Sequence, residues 1–478
     1  MIGVILSSKF IESTLRAQFG EILPIELPIQ NKPLLKHQID SISTLCDSIY
    51  ITIPNGYRIE INNEISVIEF EQNLNLVQVL IELTNRFKEN EKIFIYYGDS
   101  LFLDIGSLDN LQNYYFAQAP LHQYSWGLPY ENDLVPAGGI IISIKELKNC
   151  LIGCSDFETL SKNIHLNSNV SLFSDFKWLD FGHTLTYYNS RKTFLESRSF
   201  NKLKHLDGFI EKSSKDYLKM WSEYNWLKEC KLKLPVNIPF VTGFNINNRV
   251  ASYSIEYINH PALSDIFVFG KLPSHFFLKI LESIRKTIIK IKEIKFSIDN
   301  AISSNLLVDK LVERQVDITT IARRLNVEVA NIEKIISENI NYFKSRKIHF
   351  SPMHGDLCFS NILFDFSVFE PILIDPRGYV SGEQGFSMYG PEYYDYYKLA
   401  HSYVVGYDFL IAGKENDIFL SKENMSNRLQ IFCELFNVDH SDIKMGLINL
   451  FLTMLPLHSD SEVRQIAFLN VLKKIEQL

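Results

Sequence analysis

Several features that mark large classes of protein are missing from this sequence of 478 residues. Its 48 basic side chains are outnumbered by 56 acidic ones, which gives a formal net charge of −8 and no cationic excess for binding nucleic acid. The initial run MIGVILSSKF has neither a basic segment before it nor a small-residue cleavage site, so it predicts a buried strand instead of a signal peptide. The late apolar stretch MGLINLFLTMLPL predicts a core helix, because a membrane span needs roughly 18 residues.

Cysteine is also scarce, and its placement argues against structural disulfides or a zinc site. The six cysteines are scattered along the chain. Cys150 and Cys154 are four residues apart, but no second Cys or His pair completes a set of zinc ligands. We therefore expect unpaired thiols in the reducing environment of the cytoplasm. The sequence makes no prediction of oligomeric state.

What is present is the composition and patterning of a soluble globular protein, with 46% apolar and 22% charged residues. At about 150 residues per domain, the length predicts two to three domains. The first 190 or so residues alternate helical stretches with the strand candidates GVIL, SIYITI, KIFIYY and GGIIISI, which is typical of an α/β domain. The segment KPLLKHQIDSI between the first two strands predicts a helix.

From about residue 195 the pattern changes. Residues 200–260 predict strands and one helix, and residues 270–478 are mostly helical. We place a domain boundary near residue 193, so that the predicted segments are 1–193, 194–260 and 261–478.

The strongest motif is SPMHGDLCFSNILFDFSVFEPILIDPRGY, which begins at Ser351. Asp356 and Asn361 are five residues apart, and Asp375 follows the apolar strand candidate ILI. Phosphoryl transfer from ATP needs these groups: a carboxylate that accepts the proton of the attacking hydroxyl, an amide oxygen on Mg²⁺, and a second carboxylate between the metal and the phosphates. Positioning and charge then carry most of the reduction of the barrier.

This segment resembles the catalytic loop and metal-binding segment of the aminoglycoside phosphotransferase/choline kinase superfamily, which has a two-lobed α+β protein-kinase-like fold. The resemblance implies ATP as the phosphate donor, Asp356 as the catalytic base, and Asn361 and Asp375 as Mg²⁺ ligands. His354 is implied to be a scaffold residue that supports the loop.

The upstream segment supplies the two residues that a kinase-like small lobe requires, a Lys on a strand and a Glu on the next helix. DGFIEKSS places Lys212 at the end of a short strand, and YLKMWSEYNWL places Glu223 on a helix. One packed helix face is predicted for Tyr217, Met220, Tyr224 and Leu227. SYSIEYI is suited to the strand and hinge beside adenine, but SFNKLKHLDGF has no G-x-G-x-x-G phosphate loop.

After Asp375 the chain is rich in tyrosine, which is typical of a packed core. We expect Asp395 to cap or brace the helix that carries Lys398 and His401. In the superfamily that the sequence resembles, this region helps to form the acceptor pocket. The resemblance therefore makes substrate-site candidates of Arg377, His401 and Asp408. Arg377 is suited either to an anionic group on the acceptor or to a structural carboxylate.

A rival interpretation comes from DITTIARRLNVEVANIEKII (317–336), which fits a helix-turn-helix template with Asn326 at the turn. It would make the protein a DNA-binding regulator. The acidic residues Glu328, Glu333 and Glu338 would crowd the recognition helix. The same apolar spacing also fits a continuous helix packed within the large lobe.

Two carboxylates dominate the first domain. Asp99, in Gly98-Asp99, and Asp180, in WLDFG, each follow an apolar strand, where ligand-contacting residues lie in open α/β sheets. Together they could hold one Mg²⁺ and orient an α-phosphate for attack by a phosphate oxygen.

Almost all of residues 1–193 resembles the sugar-phosphate/choline-phosphate nucleotidyltransferase family, whose fold is a Rossmann-like sandwich. The resemblance implies that Asp99 and Asp180 bind metal and that Gly138 and Gly139 lie near the acceptor. The family's glycine-rich phosphate loop is replaced by LSSKFIESTLR, and its Pro-Lys pair by Pro24-Ile25. Lys9, Arg16 and Lys32 are the available cations, and none of them is in register.

The sequence thus predicts a fused, cytoplasmic, Mg²⁺-dependent enzyme that phosphorylates a hydroxyl of a small sugar, polyol or amino alcohol with ATP. The first domain either transfers a nucleotide from CTP or another NTP to the product or is non-catalytic. The resemblances imply a place in making precursors for surface polysaccharide or lipid decoration. Neither nucleic acid nor a membrane is an expected partner; the regulator remains the alternative from another class.

Overall fold

The computed structural model describes residues 1–61, 65–109, 111–121, 134–194, 202–206, 208–296, 305–377, 387–414 and 419–478. The chain divides into two compact units, one of Met1–Phe194 with Phe269–Lys271 and one of Leu195–Val268 with Leu272–Leu478. Parts of two sequence expectations lie outside the described residues: 199–201 and 207 of the segment without a glycine loop, and 378–386 of the region expected to help form the acceptor pocket.

The first unit is a Rossmann-like α/β fold, as predicted. Its described strands are β1 (Ile2–Leu6), β2 (Pro28–Ile29), β3 (Lys32–Pro33), β4 (Ser48–Pro54), β5 (Ile65–Phe70), β6 (Lys92–Tyr97), β7 (Ser100–Leu103), β8 (Asn113–Gln118), β9 (Val135–Ser143), β10 (Val170–Phe173) and β11 (Lys177–Asp180). Its described helices are α1 (Ser13–Phe19), α2 (Leu34–Ile42), α3 (Leu76–Thr84), α4 (Ile144–Leu151), α5 (Phe157–His165) and α6 (Thr184–Arg191).

Seven of these strands form one sheet in the order β10-β8-β9-β6-β1-β4-β5. The four strands β6, β1, β4 and β5 are parallel to one another. β9 is antiparallel to both β6 and β8. The Ile- and Val-rich sequences of β1, β4, β6 and β9 are the four strand candidates, so these predictions are confirmed, as is the helix α2. Apolar clusters cover both faces of the sheet. Outside this sheet, β7 pairs with β11 and places Ser100 opposite Asp180.

The second unit is an α+β fold, again as predicted, in which a small antiparallel sheet is followed by a mostly helical chain. Its described strands are β12 (Lys202–Leu206), β13 (Phe209–Ser214), β14 (Val241–Asn247), β15 (Val250–Glu256), β16 (Phe350–Pro352), β17 (Ile362–Asp365), β18 (Glu370–Leu373) and β19 (Tyr389–Pro391). Its described helices are α7 (Tyr217–Lys233), α8 (Leu263–Phe269), α9 (Ser274–Lys292), α10 (Leu306–Arg324), α11 (Val329–Ser345), α12 (Tyr394–Tyr403), α13 (Tyr407–Ile411), α14 (Lys422–Phe436), α15 (His440–Met454) and α16 (Glu462–Glu476).

An antiparallel sheet of order β12-β13-β15-β14 opens this unit, and α7 packs on it. The side chain of Asp216 caps α7 by accepting a hydrogen bond from the amide of Lys219 at 3.0 Å. Met220 and Leu227 are fully buried, but Tyr217 is 53% exposed, so the predicted packed face is wrong at its first residue. Tyr217 is the first residue of the helix and lies at its margin.

The helices after the sheet form the rest of the unit. The stretch MGLINLFLTMLPL lies largely in α15, which is buried from Gly446 to Met454, so the predicted core helix is confirmed. The continuous helix across 317–336 is wrong: α10 ends at Arg324, and Asn326 adopts a left-handed φ of 54° before α11 begins. None of the helices in the described part of the chain is long and apolar enough to cross a membrane.

Candidate functional site

The first part of the site joins β13 to α7. Lys212, on β13, places its ammonium 2.7 Å from Glu223 Oε2 and 3.0 Å from Asp375 Oδ1. The side chains of Lys212 and Glu223 are only 5% and 2% exposed. Burial disfavours the ammonium, but the two carboxylates outweigh it and raise the pKa of Lys212. The pair predicted from the sequence is therefore in contact, and the same Lys also reaches the segment that carries Asp375.

The second part is the loop from Met353 to Asp356, which is held by its backbone. The carboxylate of Asp395 accepts hydrogen bonds from the amides of His354, at 2.7 Å, and Gly355, at 2.8 Å. Asp395 lies in the first turn of α12 and is 4% exposed. The sequence predicted that Asp395 caps or braces that helix, and the structure adds that its carboxylate also holds the loop through these two amides.

His354 is a buried strut beneath the same loop. Its Nε2 donates to the carbonyl of Ile374 at 3.0 Å, and its Nδ1 accepts the amide of Asp356 at 3.3 Å, a tautomer assigned from these partners. Burial lowers the pKa of His354 and keeps the ring neutral. The next residue, Gly355, has φ +79°, and a Cβ on it would lie 2.8 Å from Cβ of Arg377. A larger residue would therefore displace the loop that carries Asp356.

Asp356 is fixed by two side chains. The ammonium of Lys398 lies 2.8 Å from its Oδ1, and the amide nitrogen of Asn361 donates to its Oδ2 at 3.0 Å. Burial opposes the charge on Asp356, but Lys398 outweighs burial and lowers the pKa of Asp356 well below the usual range. The carboxylate is thus ionised and oriented, with 42% of the side chain exposed.

Asn361 and Asp375 are brought to the same loop by backbone hydrogen bonds. The amide of Ile374 donates to the carbonyl of Asn361 at 3.0 Å, and the amide of Arg377 donates to the carbonyl of His354 at 2.7 Å. These two bonds hold the chain on either side of Asp375. The φ of Asp375 is 53°, a left-handed value, so the backbone leaves the extended path of the strand at this residue. Because the nitrogen of Asn361 is used by Asp356, its amide oxygen is the atom left for a cation. An amide oxygen and one carboxylate suit Mg²⁺, which takes its remaining ligands from phosphates and water.

The substrate-site candidates Arg377, His401 and Asp408 have different surroundings. Arg377 lies against the loop, whereas His401 and Asp408 are buried. The side chain of Arg377 lies against Gly355 in the loop. His401 is 1% exposed, its Nδ1 bonds the carbonyl of Lys398, and its ring stacks on Tyr407 with centroids 4.4 Å apart. Burial and Lys398 lower the pKa of His401 to about 3, so the ring is neutral. Asp408 is 6% exposed, and burial raises its pKa to about 7.

Two lysines of the second unit were missed by the sequence reasoning, Lys398 beside Asp356 and Lys310 beside Tyr394. Lys398 was named only as a residue on its helix, yet it holds the candidate base. Lys310, on α10, donates to the hydroxyl of Tyr394 at 3.1 Å. Helical spacing could have revealed Lys398, because it follows Tyr394 and Asp395 by four and three residues and shares their face. Lys310 comes from a separate helix, and no motif marks it.

The first unit contains a second candidate site, formed by Asp99 and Asp180. The amide of Phe181 donates to the carbonyl of Asp99 at 2.7 Å. A Cβ placed on Gly182 would lie 2.8 Å from Asp99 Oδ2 and 3.2 Å from Asp180 Oδ1, so both carboxylates face the same glycine. Burial and the charge of Asp180 raise the pKa of Asp99 to about 6. Two facing carboxylates are sufficient protein ligands for Mg²⁺ bound with phosphates, although the described residues hold no group of three or more acidic, His or Cys ligands.

The loop that carries Asp99 is braced by Gln38, a residue of the predicted helix KPLLKHQIDSI to which the sequence analysis gave no role at the site. Its Nε2 donates to the carbonyls of Tyr97 at 3.1 Å, Gly98 at 3.3 Å and Ser100 at 2.8 Å. Gln38 is fully buried on α2. One side chain thus sets the path of the chain on both sides of Asp99.

Gly138 and Gly139 lie in β9, where a packing reason for both is evident. Gly138 has φ +81°, and a Cβ there would lie 2.1 Å from Ser100 Oγ. A Cβ on Gly139 would lie 2.7 Å from the ring of Phe102. Both glycines therefore let β7, which begins beside Asp99, pass close to β9.

The segment LSSKFIESTLR, which replaces the phosphate loop of the family that the sequence resembles, brings few positive side chains to Asp99 and Asp180. Lys9 and Lys32 are exposed, and Arg16 donates to the carbonyl of Ile11 at 3.3 Å. Glu12 of this segment contacts His183, three residues after Asp180 in the chain: its Oε2 is 3.4 Å from Nδ1 of His183. This part of the chain therefore adds a negative group where the family that the sequence resembles has a phosphate cradle.

The helices of the 317–336 segment are tied to α15. Asn339, on α11, donates to the carbonyl of Met445 at 2.8 Å and accepts from Asn449 at 2.8 Å. The opposite, exposed face carries Glu333, Lys334 and Glu338, with Lys334 and Glu338 3.8 Å apart. This face offers little net positive charge to DNA phosphates.

Comparisons with known proteins add the following. A scan against protein-family models gives no match, and neither does a search of the curated proteins. The inositol-1-phosphate CTP transferase from T. maritima is similar in structure, with 17% identity, a TM-score of 0.33, and coverage of 41% of this chain and 96% of that one.

Aminoglycoside phosphotransferases form the second group of similar structures. A thermostable mutant of APH(4)-Ia, in a ternary complex with AMP-PNP and hygromycin B, has 11% identity and a TM-score of 0.39, covering 59% of this chain and 92% of that one. The GDP complex of wild-type aminoglycoside 2′-phosphotransferase-IIIa has 12% identity and a TM-score of 0.39, covering 59% and 91%. These similar structures include a nucleotidyltransferase and aminoglycoside phosphotransferases, the two kinds of protein that the sequence resembles.

Proposed function

We propose that the second unit is a small-molecule kinase that transfers the γ-phosphoryl group of ATP to a hydroxyl of a sugar, polyol or amino alcohol. The observation that carries this proposal is the joint position of Lys212, Glu223 and Asp375, with Lys212 2.7 Å from one carboxylate and 3.0 Å from the other. An ATP-binding lysine needs this arrangement, because one carboxylate orients it and the other lies where phosphates and their cation arrive. In this proposal, residues 194–260 supply the small lobe and residues 261–478 the large lobe.

Asp356 is proposed to receive the acceptor hydroxyl. The oxygen of the hydroxyl forms a bond to the γ-phosphorus while the bond from that phosphorus to the bridging oxygen breaks, ADP leaves, and the proton passes to Asp356. With its pKa held low by Lys398, Asp356 is a weak base. It therefore orients the hydroxyl first and takes the proton late, once the new bond has made that proton acidic. Lys398 and Asn361 act through Asp356 by fixing its two oxygens.

Asn361 and Asp375 are the residues that would hold Mg²⁺ in the second unit. Bound there, Mg²⁺ would neutralise charge on the phosphates. Asp375 also accepts a hydrogen bond from Lys212, so the groups that would contact the phosphates are linked before ATP binds.

We propose as a second candidate that the first unit, residues 1–193, transfers a nucleotide from CTP or another NTP to the phosphorylated product. The pair Asp99 and Asp180 favours this candidate, because both face Gly182 and would hold one Mg²⁺. The acidic Glu12 and the exposed Lys9 favour the alternative of a non-catalytic domain. A product of both units would be a nucleotide-activated small molecule made in the cytoplasm, suited to surface-polysaccharide or lipid decoration. That place is supported only by the sequence resemblances.

The kinase proposal is tested by incubating the full chain with ATP, Mg²⁺ and a panel of sugars, polyols and amino alcohols, and measuring ADP. Asp356→Asn should abolish acceptor-dependent ADP release. Asp460→Asn, on a side chain that is 74% exposed, is the matched control and should leave it unchanged. Acceptor-dependent turnover that survives in Asp356→Asn would overturn the assignment of the base.

The second candidate is tested with the product of that reaction. Release of pyrophosphate from CTP or UTP that disappears in Asp99→Asn would support nucleotidyl transfer, and no release with any NTP would support the non-catalytic alternative. The DNA-binding regulator predicts salt-dependent binding of the full chain to duplex DNA. The charges on the exposed face of α11 lead us to expect none.

A further inference from the structure

The helix α7 carries two buried side chains that contact different parts of the candidate site. Glu223 accepts the ammonium of Lys212 at 2.7 Å, and Trp226 lies three residues further along the same face of the helix. Trp226 is fully buried, and its indole nitrogen donates to the carbonyl of Met353 at 2.8 Å. One helix face is therefore hydrogen-bonded both to the proposed ATP-binding lysine and to the first residue of the loop that ends at Asp356.

The ring of Trp226 also packs on His354. The ring centroids are 5.2 Å apart and the planes meet at 82°, an edge-to-face contact between two fully buried side chains. His354 in turn contacts both catalytic segments, because its Nε2 donates to the carbonyl of Ile374 at 3.0 Å and its Nδ1 accepts the amide of Asp356 at 3.3 Å. A displacement of the indole would therefore displace the segments that carry Asp356 and Asp375.

Tyr253, on β15, holds Glu223 against the small antiparallel sheet. It is paired in register with Lys212 on the neighbouring strand and is 1% exposed. Its hydroxyl donates to Glu223 Oε2 at 3.1 Å, and the same oxygen accepts the ammonium of Lys212. Two donors on one carboxylate oxygen fix the side chain, so α7 has a defined position on the sheet at this residue.

The end of α7 is held against β18 by Asn237, which is 3% exposed. The carbonyl of Asn237 accepts the amide of Leu373 at 2.8 Å, and its side-chain amide donates to the carbonyl of Pro371 at 2.8 Å. β18 ends two residues before Asp375. The helix that orients Lys212 is therefore also fixed relative to the strand that leads to Asp375.

We propose that Trp226 is a positioning residue that joins α7 to the loop from Met353 to Asp356, so that the helix which orients the ATP-binding lysine also sets the place of the candidate base. This inference rests on the proposed kinase function and deepens it. Trp226 acts through the loop and not on the reacting atoms. Its effect on catalysis follows from geometry, because a shift of about 1 Å in a catalytic group is enough to lower the rate about 100-fold.

The first test is Trp226→Phe, which keeps an aromatic ring beside His354 and removes the indole N–H group. The full chain is assayed with ATP, Mg²⁺ and the acceptor that gives turnover in the panel of sugars, polyols and amino alcohols. We expect kcat to fall about 10- to 100-fold. KM for ATP should stay within about twofold of the wild type, because Lys212 keeps its contacts with Glu223 and Asp375. An unchanged kcat would overturn the inference, and so would a loss that appears only in KM for ATP.

Phenylalanine is smaller than tryptophan, so a second variant removes the hydrogen bond without changing the volume. Replacement of Trp226 by benzothienylalanine puts sulfur in place of the N–H group, and it should reproduce the loss of kcat. Trp178→Phe is the matched control, because it removes an indole hydrogen bond, to Ser100 Oγ at 3.3 Å, in the first unit and should leave this kcat unchanged. Wild-type kcat in the benzothienylalanine variant, or an equal loss in the control, would overturn the inference.

Hydrogen exchange needs no acceptor, so it separates failure of this inference from failure of the proposed function. The amides of His354 and Gly355 donate to Asp395. In the full chain without nucleotide, they should exchange about tenfold faster in Trp226→Phe than in the wild type, and at the wild-type rate in Trp178→Phe. Faster exchange without turnover of any acceptor would contradict the kinase and keep the positioning role. Turnover with unchanged exchange and unchanged kcat would keep the kinase and contradict that role.

Discussion

Replacing Asp395 should destabilise the protein and lower kcat, because this residue holds the loop from Met353 to Asp356. The carboxylate accepts the amides of His354 and Gly355 at 2.7 and 2.8 Å and is 4% exposed. A buried amide left without an acceptor costs about 1–3 kcal/mol. Asp395→Ala orphans two amides and should cost about 2–6 kcal/mol, whereas Asp395→Asn keeps one acceptor oxygen and should cost about half of that. The larger cost is a substantial part of the 5–15 kcal/mol or so that stabilises a domain.

The assay pairs unfolding with catalysis. Urea unfolding followed by tryptophan fluorescence is suitable because the indole of Trp226 donates to the carbonyl of Met353 at 2.8 Å, directly before the loop. The acceptor-dependent kcat should fall about 100-fold in Asp395→Asn, since a shift of about 1 Å in Asp356 is enough for such a loss. Asp460→Asn is the matched control, because that exposed carboxylate lies 4.0 Å from its cation and contributes about 0–1 kcal/mol.

The reasoning would be refuted by an Asp395→Asn variant that unfolds within about 0.5 kcal/mol of the wild type and keeps its kcat. Loss of stability with an unchanged kcat would show that the loop is held in place by other contacts. Both the free energy of unfolding and kcat should decrease from the wild type to Asp395→Asn and further to Asp395→Ala.

Two further predictions concern other parts of the two units. Glu223→Gln removes one of the two carboxylates that hold Lys212, so KM for ATP should rise about tenfold, and a KM within twofold of the wild type would contradict the role of the pair. Gln38→Leu leaves three carbonyls without their donor and should destabilise the first unit by about 1–3 kcal/mol in thermal unfolding, whereas an unchanged transition would show that the Asp99 loop does not depend on it.

Much of the fold could be predicted because its signals are local. Four strands and the helix α2 follow from short apolar runs whose period is visible in a window of ten residues. The turn at Asn326 belonged to only one of the two alternatives left open for this segment, because the apolar spacing continues across it and only the left-handed backbone interrupts the helix. Tyr217 was wrongly predicted to lie on the packed face for a related reason: helical spacing does not show at which residue a helix leaves the packed interior.

The candidate site divides in the same way. Asp356, Asn361 and Asp375 lie in one motif, and the contact between Lys212 and Glu223 follows from a strand and the helix after it. Their catalytic roles stay predictions, but their proximity could be anticipated. The position of Lys310 could not, because this residue comes from a helix 46 residues earlier in the chain than Asp356 and only tertiary packing brings it to the hydroxyl of Tyr394.

The central claim is that Asp356 is the base of an ATP-dependent kinase, and one measurement tests it most directly. The full chain, with ATP and Mg²⁺, is screened for acceptor-dependent ADP release, and phosphorylated product is confirmed by mass spectrometry, in the wild type, Asp356→Asn and Asp460→Asn. We predict product in the wild type and in Asp460→Asn and at least a 1000-fold loss in Asp356→Asn, while ATP still binds to that variant. Equal product formation by Asp356→Asn and the wild type would contradict the account.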